Sequence, residues 1–111
     1  MKLTEEQKQT ICAVYEAALT LQEKFRGQHL LIAVNIDEYE KFDLTAYAQH
    51  GVELTRLASD RVSVYDKDRC FAVIKEINEY CEEFLNNKKA AKQARIAALE
   101  KQLADLKATE D

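Results

Sequence analysis

Proline is absent from this 111-residue chain, and glycine occurs only at Gly27 and Gly51. So few chain breakers predict long uninterrupted elements and few irregular loops. Glycine is too scarce to build a phosphate-cradling loop, and no GxGxxG, P-loop or HExxH pattern occurs. No apolar run approaches the roughly 20 residues that a membrane span needs. The opening stretch MKLTEEQKQT lacks the apolar core of a secretory signal, so the expected setting is cytoplasmic with no membrane.

Chemistry-bearing groups are equally sparse. Cys12, Cys70 and Cys81 contain no CxxC pair. Cys70 and Cys81 would share a helix face about 16 Å apart along the axis, too far to bridge or to share a metal. Reduced thiols are expected, with Cys70 in a first helical turn where the dipole favours thiolate. His29 and His50 have no Ser, Cys or carboxylate near them in a triad order, so no enzyme activity is expected. Asp37, Glu38, Glu40 and Asp43 surround one turn but lack EF-hand spacing, so neither a metal nor a cofactor is expected.

What is present is pattern. Thr4 followed by Gln7 fits a capping box, and Ile11, Val14, Tyr15, Ala18, Leu21 and Phe25 recur at helical spacing. A helix over 4–26 is predicted, ending at Gly27. The period then drops to two. Leu30, Ile32, Val34 and Ile36 form one face with His29, Leu31, Ala33 and Asn35 opposite, Asp37 to Glu40 turn the chain, and Phe42, Leu44, Ala46 and Ala48 alternate again. Residues 49–60 are ambiguous, with His50-Gly51 able to turn the chain. A third strand is predicted over 61–65, with Val62 and Val64 inward, before Asp66 or Asp68 caps a second helix. Phe71, Ile74 and Ile77 would make that helix's first apolar contacts, and Ile32 and Ile74 are expected in the core.

The fold class is therefore α+β: a two-layer α-β-β-β-α body with a three-stranded antiparallel sheet. Residues 1–87 form the body and 88–111 a helical extension. Ile74, Ile77, Cys81 and Phe84 set a 3-4-3 pattern that Ile96, Leu99, Leu103 and Leu106 repeat 22 residues later. Twenty-two residues are almost a whole number of turns, so both sets fall on one face of a helix running from about 68 to 107, roughly 60 Å. Such a helix outreaches a small body and is expected to project as a coiled coil. With Ile96 at a, Leu99 at d, Leu103 at a and Leu106 at d, Arg95 at g faces Glu100 at e′ attractively only in a parallel pair. A homodimer through these four residues is expected.

Net charge is −4 and unevenly placed. Residues 28–87 carry −6, whereas 88–111 hold six basic against four acidic side chains. An acidic body disfavours nucleic acid as a partner, and Lys88, Lys89, Lys92 and Arg95 read as a solvated collar. An adaptor whose basic helix contacts nucleic acid is the weaker alternative. Glu76, Glu79 and Glu83 share one helical stripe that reads first as a solvated face, with imitation of nucleic-acid phosphates to a protein's basic groove as the functional alternative. The second sheet face would carry Leu31, Tyr47 and Tyr65, together with His29, Ala33, Asn35, Thr45 and Ser63. Tyr-rich, half-polar patches suit protein contacts, because tyrosine buries area while its hydroxyl stays wet.

The expected function is a non-enzymatic, acidic protein–protein interaction protein. Within this class small size and acidity favour one specific form, an inhibitor of a host or defence complex; in size, acidity and element order the chain resembles many small phage and prophage proteins, a likeness that assigns no residue a role. A small-molecule binder or enzyme at a dimer-interface pocket around His29, Tyr47 and Tyr65 is the rival from another class.

Overall fold

The computed structural model of the chain describes residues 3–109. Its elements are α1 (Glu5–Lys24), β1 (Leu30–Ile36), β2 (Lys41–His50), β3 (Glu53–Ser63) and α2 (Lys67–Ala108). The architecture is α+β, with one antiparallel three-stranded sheet in the order β1-β2-β3. The chain divides into two compact units, one ending at Cys81 and the other starting at Glu82.

Helix α1 begins as its sequence predicts. The Thr4 hydroxyl accepts from the Gln7 amide at 3.2 Å, and the Gln7 side chain accepts from the Thr4 amide at 2.9 Å. This reciprocal cap satisfies two orphan donors and stabilises the helix by about 1 kcal/mol. The helix stops at Lys24 with Phe25 as its C-cap, two residues before the predicted end, and Gly27 turns the chain at φ +79°. Val14, Ala18, Leu21 and Phe25 point into the core.

The first hairpin closes over Glu38–Glu40, with the Asp37 amide donating to the Lys41 carbonyl at 2.9 Å and Ile36 opposite Phe42. The Asp37 carboxylate accepts from the amides of Tyr39 (2.9 Å) and Lys41 (3.1 Å), an Asx arrangement that holds the turn. Glu40 then takes φ +58°, the left-handed residue that a three-residue hairpin loop requires.

Residues 49–60, ambiguous in sequence, are mostly strand. Gly51 and Val52 form a two-residue loop between the paired His50 and Glu53, with Gly51 at φ +64° as a type II′ turn requires. The third strand is thus Glu53–Ser63 and not 61–65; the chain turns at Ser63–Asp66, where the Asp66 amide donates to the Ser63 carbonyl. Tyr65 lies outside the sheet. A bulge interrupts the β2–β3 ladder: Ala46 pairs with Ala58 and Tyr47 with Arg56, leaving Leu57 over. Because side chains alternate, one extra residue exchanges the faces of everything before it. Val62, Asp60 and Ala58 share the inner face, whereas Leu54 and Arg56 are sent to the outer one.

Helix α2 is capped by Asp66, whose side chain accepts from the Arg69 amide at 3.0 Å. Its buried residues are Cys70, Val73, Ile77 and Cys81. The predicted contacts Phe71 and Ile74 flank that stripe and are half-buried. Within the first unit both helices cover one sheet face and run in the same sense. Thr4 at the cap of α1 and Thr10 within it share a groove with Tyr65 and with Lys67 at the start of α2, and Lys24 at the end of α1 donates to Asn78 at 2.7 Å. The core lies between, centred on Phe42, Leu44, Ala46 and Ala48 of the middle strand. Ile32, expected in the core, is only half-buried, because β1 is an edge strand and, among the described residues, no further strand lies on its outer flank.

Candidate interaction site

Every residue from Asn86 to Thr109 is exposed, although the segment is helical to Ala108. Ile96, Leu99, Leu103 and Leu106 are 45%, 58%, 55% and 63% exposed. Alanines at 97, 98 and 104 favour helix without adding a second apolar face. Extending the heptad upstream puts Lys92 at d and Lys89 at a, so the apolar seam gives way to charge just before Ile96. Lys88, Ala91, Lys92 and Arg95 line one surface groove.

Among the described residues of the first unit, no helix covers the outer sheet face. One end of it is polar. Thr45 bonds Asp43 at 3.3 Å and Ser59 at 3.2 Å, and Asp43 pairs across the ladder with Arg61. The other end is amphipathic: Leu31 pairs with Tyr47, Tyr47 pairs with Arg56, and Leu54 sits one row on, opposite Gln49. Leu31 and Leu54 are exposed and Tyr47 is half-buried. Leu54 and Arg56 are contacts that sequence reasoning missed, because the bulge that turns them outward has no alternation signal of its own.

The structure does not bring Tyr65 to this patch. Its hydroxyl donates to the Glu40 carboxylate at the Lys41 end of the sheet. Lys41 and Tyr47 are six residues apart along β2, about 20 Å. His29 precedes β1 at the Tyr47 end, its carbonyl accepting from Gln49 at 2.8 Å, so His29 and Tyr47 are close in register while Tyr65 is remote. Glu76, Glu79 and Glu83 are all exposed on α2. Glu76 accepts from Arg69 at 3.4 Å, and Arg69 also reaches Asp60 at 3.1 Å. Glu76 and Glu79 belong to the first unit and Glu83 to the second.

Two environments alter titration. The Arg61 guanidinium beside Asp37, with the Tyr39 and Lys41 amides, holds the Asp37 carboxyl below the usual carboxylate range. Its stabilising effect is present above the ordinary aspartate value and is lost as pH falls through the lowered one. Asp37→Asn should therefore narrow the loss of stability between pH 5 and pH 2; denaturant unfolding across that range checks it, and unchanged acid sensitivity counts against the pairing. Burial pushes the Cys70 thiol up, with Asp66 adding to the rise, which reverses the thiolate expectation from its helix position. Cys81 is likewise raised by burial, while Cys12 is exposed.

Among the described residues no group of three or more His, Cys, Asp or Glu is placed to hold a metal, and no helix is long and apolar enough to cross a membrane. Compared with known protein families, curated proteins and solved structures, the chain matches none.

Proposed function

We propose that the chain is a non-enzymatic protein-interaction module that pairs with a second copy through Ile96, Leu99, Leu103 and Leu106 in a parallel coiled coil and offers its outer sheet face to a protein partner. The observation that carries this reading is the seam itself: four large aliphatic side chains at a and d spacing, each about half exposed, on a segment with no other burial. Apolar side chains at that spacing gain by insertion between the residues of a facing helix. Ile at the first a position with Leu at both d positions suits two strands.

The Leu31–Tyr47–Leu54 patch supports the second half of the reading, with Arg56 beside it. Tyr and Arg are enriched where proteins meet, and such anchors act by excluding water. A module of this kind works by occupying another protein's surface, and inhibition of a host or defence complex is its specific form. The setting is cytoplasmic, with all three cysteines as free thiols.

Sedimentation of the full chain tests the self-pairing. A mass of at least twice 12.8 kDa is expected at tens of micromolar. A particle of single-chain mass at that concentration overturns it.

A further inference from the structure

The two edges of the sheet are built differently. β3 carries Glu53, Arg56, Asp60 and Arg61 and is broken by the Leu57 bulge. Charge and bulging are what keep an edge strand from pairing with another chain. β1, LLIAVNI, has no charged residue, no proline and no bulge.

The outward-facing groups of β1 follow from its register. The Gln49 amide donates to the His29 carbonyl and the Asp37 amide to the Lys41 carbonyl, so the odd-numbered residues exchange hydrogen bonds with β2. The even-numbered residues then aim their N–H and C=O groups away from the sheet. Gln22 occupies one end of that edge. Its side-chain amide donates to the Leu30 carbonyl at 2.9 Å and accepts from the Ile32 amide at 2.7 Å, standing where a strand residue would. Beyond it, the Ile32 carbonyl, both Val34 groups and the Ile36 amide face outward.

An apolar helical stripe runs beside these groups. Tyr15 and Leu19 of α1 line a groove of about 200 Å³ with Ala18, Gln22, Ile32 and Val34. Leu19 is 68% exposed, the most exposed leucine of the first unit.

We propose that this edge pairs with a second copy of the chain, β1 against β1 and antiparallel, about a two-fold axis at Val34. Around that axis Val34 exchanges two bonds with its counterpart, and each Ile32 carbonyl accepts from the other copy's Ile36 amide. Gln22 ends the ladder on both sides. The result is a continuous six-stranded sheet in which the helix-covered faces of both copies lie on the same side. Tyr15 and Leu19 then meet the same residues of the other α1, filling both grooves.

The occupant is argued from what must be covered. A lone extended peptide would satisfy the strand edge but would leave Leu19 above it in water. A second copy supplies a strand and an apolar helix stripe in the required relation. It also meets no like charge along the ladder, because β1 has none. This interface is separate from the seam, and neither proposal rests on the other.

Full-length chain carrying Leu99→Lys and Leu103→Lys, which charges the seam, isolates the edge. This variant should sediment at twice the chain mass and protect the Val34 and Ile36 amides from hydrogen exchange. Adding Leu19→Glu should bring it to single-chain mass and speed exchange at both amides at least tenfold. Leu19 is a surface position, so the substitution leaves the fold intact. Val34→Pro, which removes one outward amide at an edge where proline is tolerated, should act alike, with circular dichroism confirming the fold. A monomeric seam variant, or a dimer indifferent to Leu19→Glu, overturns the edge proposal. Failure of the seam reads out differently: the two lysines would leave the wild-type mass unchanged.

Discussion

Phe42→Ala is expected to lower folding stability by about 3–5 kcal/mol, the usual cost of truncating a buried aromatic to a methyl. Phe42 has no exposed surface, stands between Ile36 and Val62 on the two neighbouring strands, and makes a T-shaped contact with Tyr15 at 6.3 Å between ring centres. Its removal leaves a cavity at the contact of helix and sheet, where the middle strand is hydrogen-bonded on both sides and cannot collapse inward. Domains of this size hold only about 5–15 kcal/mol in total, so the loss is a large share. Urea unfolding followed by far-ultraviolet dichroism measures it. Val52→Ala is the control, because Val52 sits fully exposed at the tip of the second hairpin and should change stability by less than about 0.5 kcal/mol. A cost below about 1 kcal/mol at Phe42 would mean that the helices do not pack on this sheet face.

Phe42 was legible as an inward residue, but its depth was not. Alternation in sequence marks a face; strand order decides how far that face is covered. β1 has the larger aliphatics, Ile32 and Val34, yet they are half-buried at the edge. Ala46 and Ala48, poor strand formers, are buried because they lie in the middle strand. The same distinction applies to α2. Phe71 and Ile74 have the more apolar side chains, but Cys70 and Val73 point inward, since the turn at Ser63–Asp66 and the Asp66 cap set the helix's rotation.

Helix α1, its capping box and the Asp37–Glu40 turn were readable because each rests on contacts within a few residues. Most of β3 was not. Its apolar positions, Leu54, Leu57, Ala58 and Val62, fit neither period until Leu57 is taken out of the count as the bulge residue. Of the candidate surface, Leu31 and Tyr47 were legible from strand parity. Leu54 and Arg56 lay behind the bulge, and Tyr65 was misplaced by extending β3 two residues too far. The open edge of β1 is a property of strand order and had no local signature.

Leu99→Lys with Leu103→Lys is expected to weaken association through the seam by more than a hundredfold. Each substitution removes a leucine worth about 1.5–3 kcal/mol on burial and places an ammonium where two helices meet, and symmetry doubles both effects. Two heptads are marginal even with every leucine in place, so little reserve exists to absorb the loss. The upstream positions cannot compensate, because Lys92 at d and Lys89 at a would face their own copies. Sedimentation should show the mass falling while dichroism of the sheet and α1 stays as in the wild type. Direction follows from the flanking charges. In a parallel pair Arg95→Glu would set a carboxylate beside Glu100 of the other copy and weaken the pair several-fold, and adding Glu100→Arg should restore it. In an antiparallel pair these two positions do not meet, so a double reversal that recovers nothing would refute the parallel arrangement while leaving the seam itself in place.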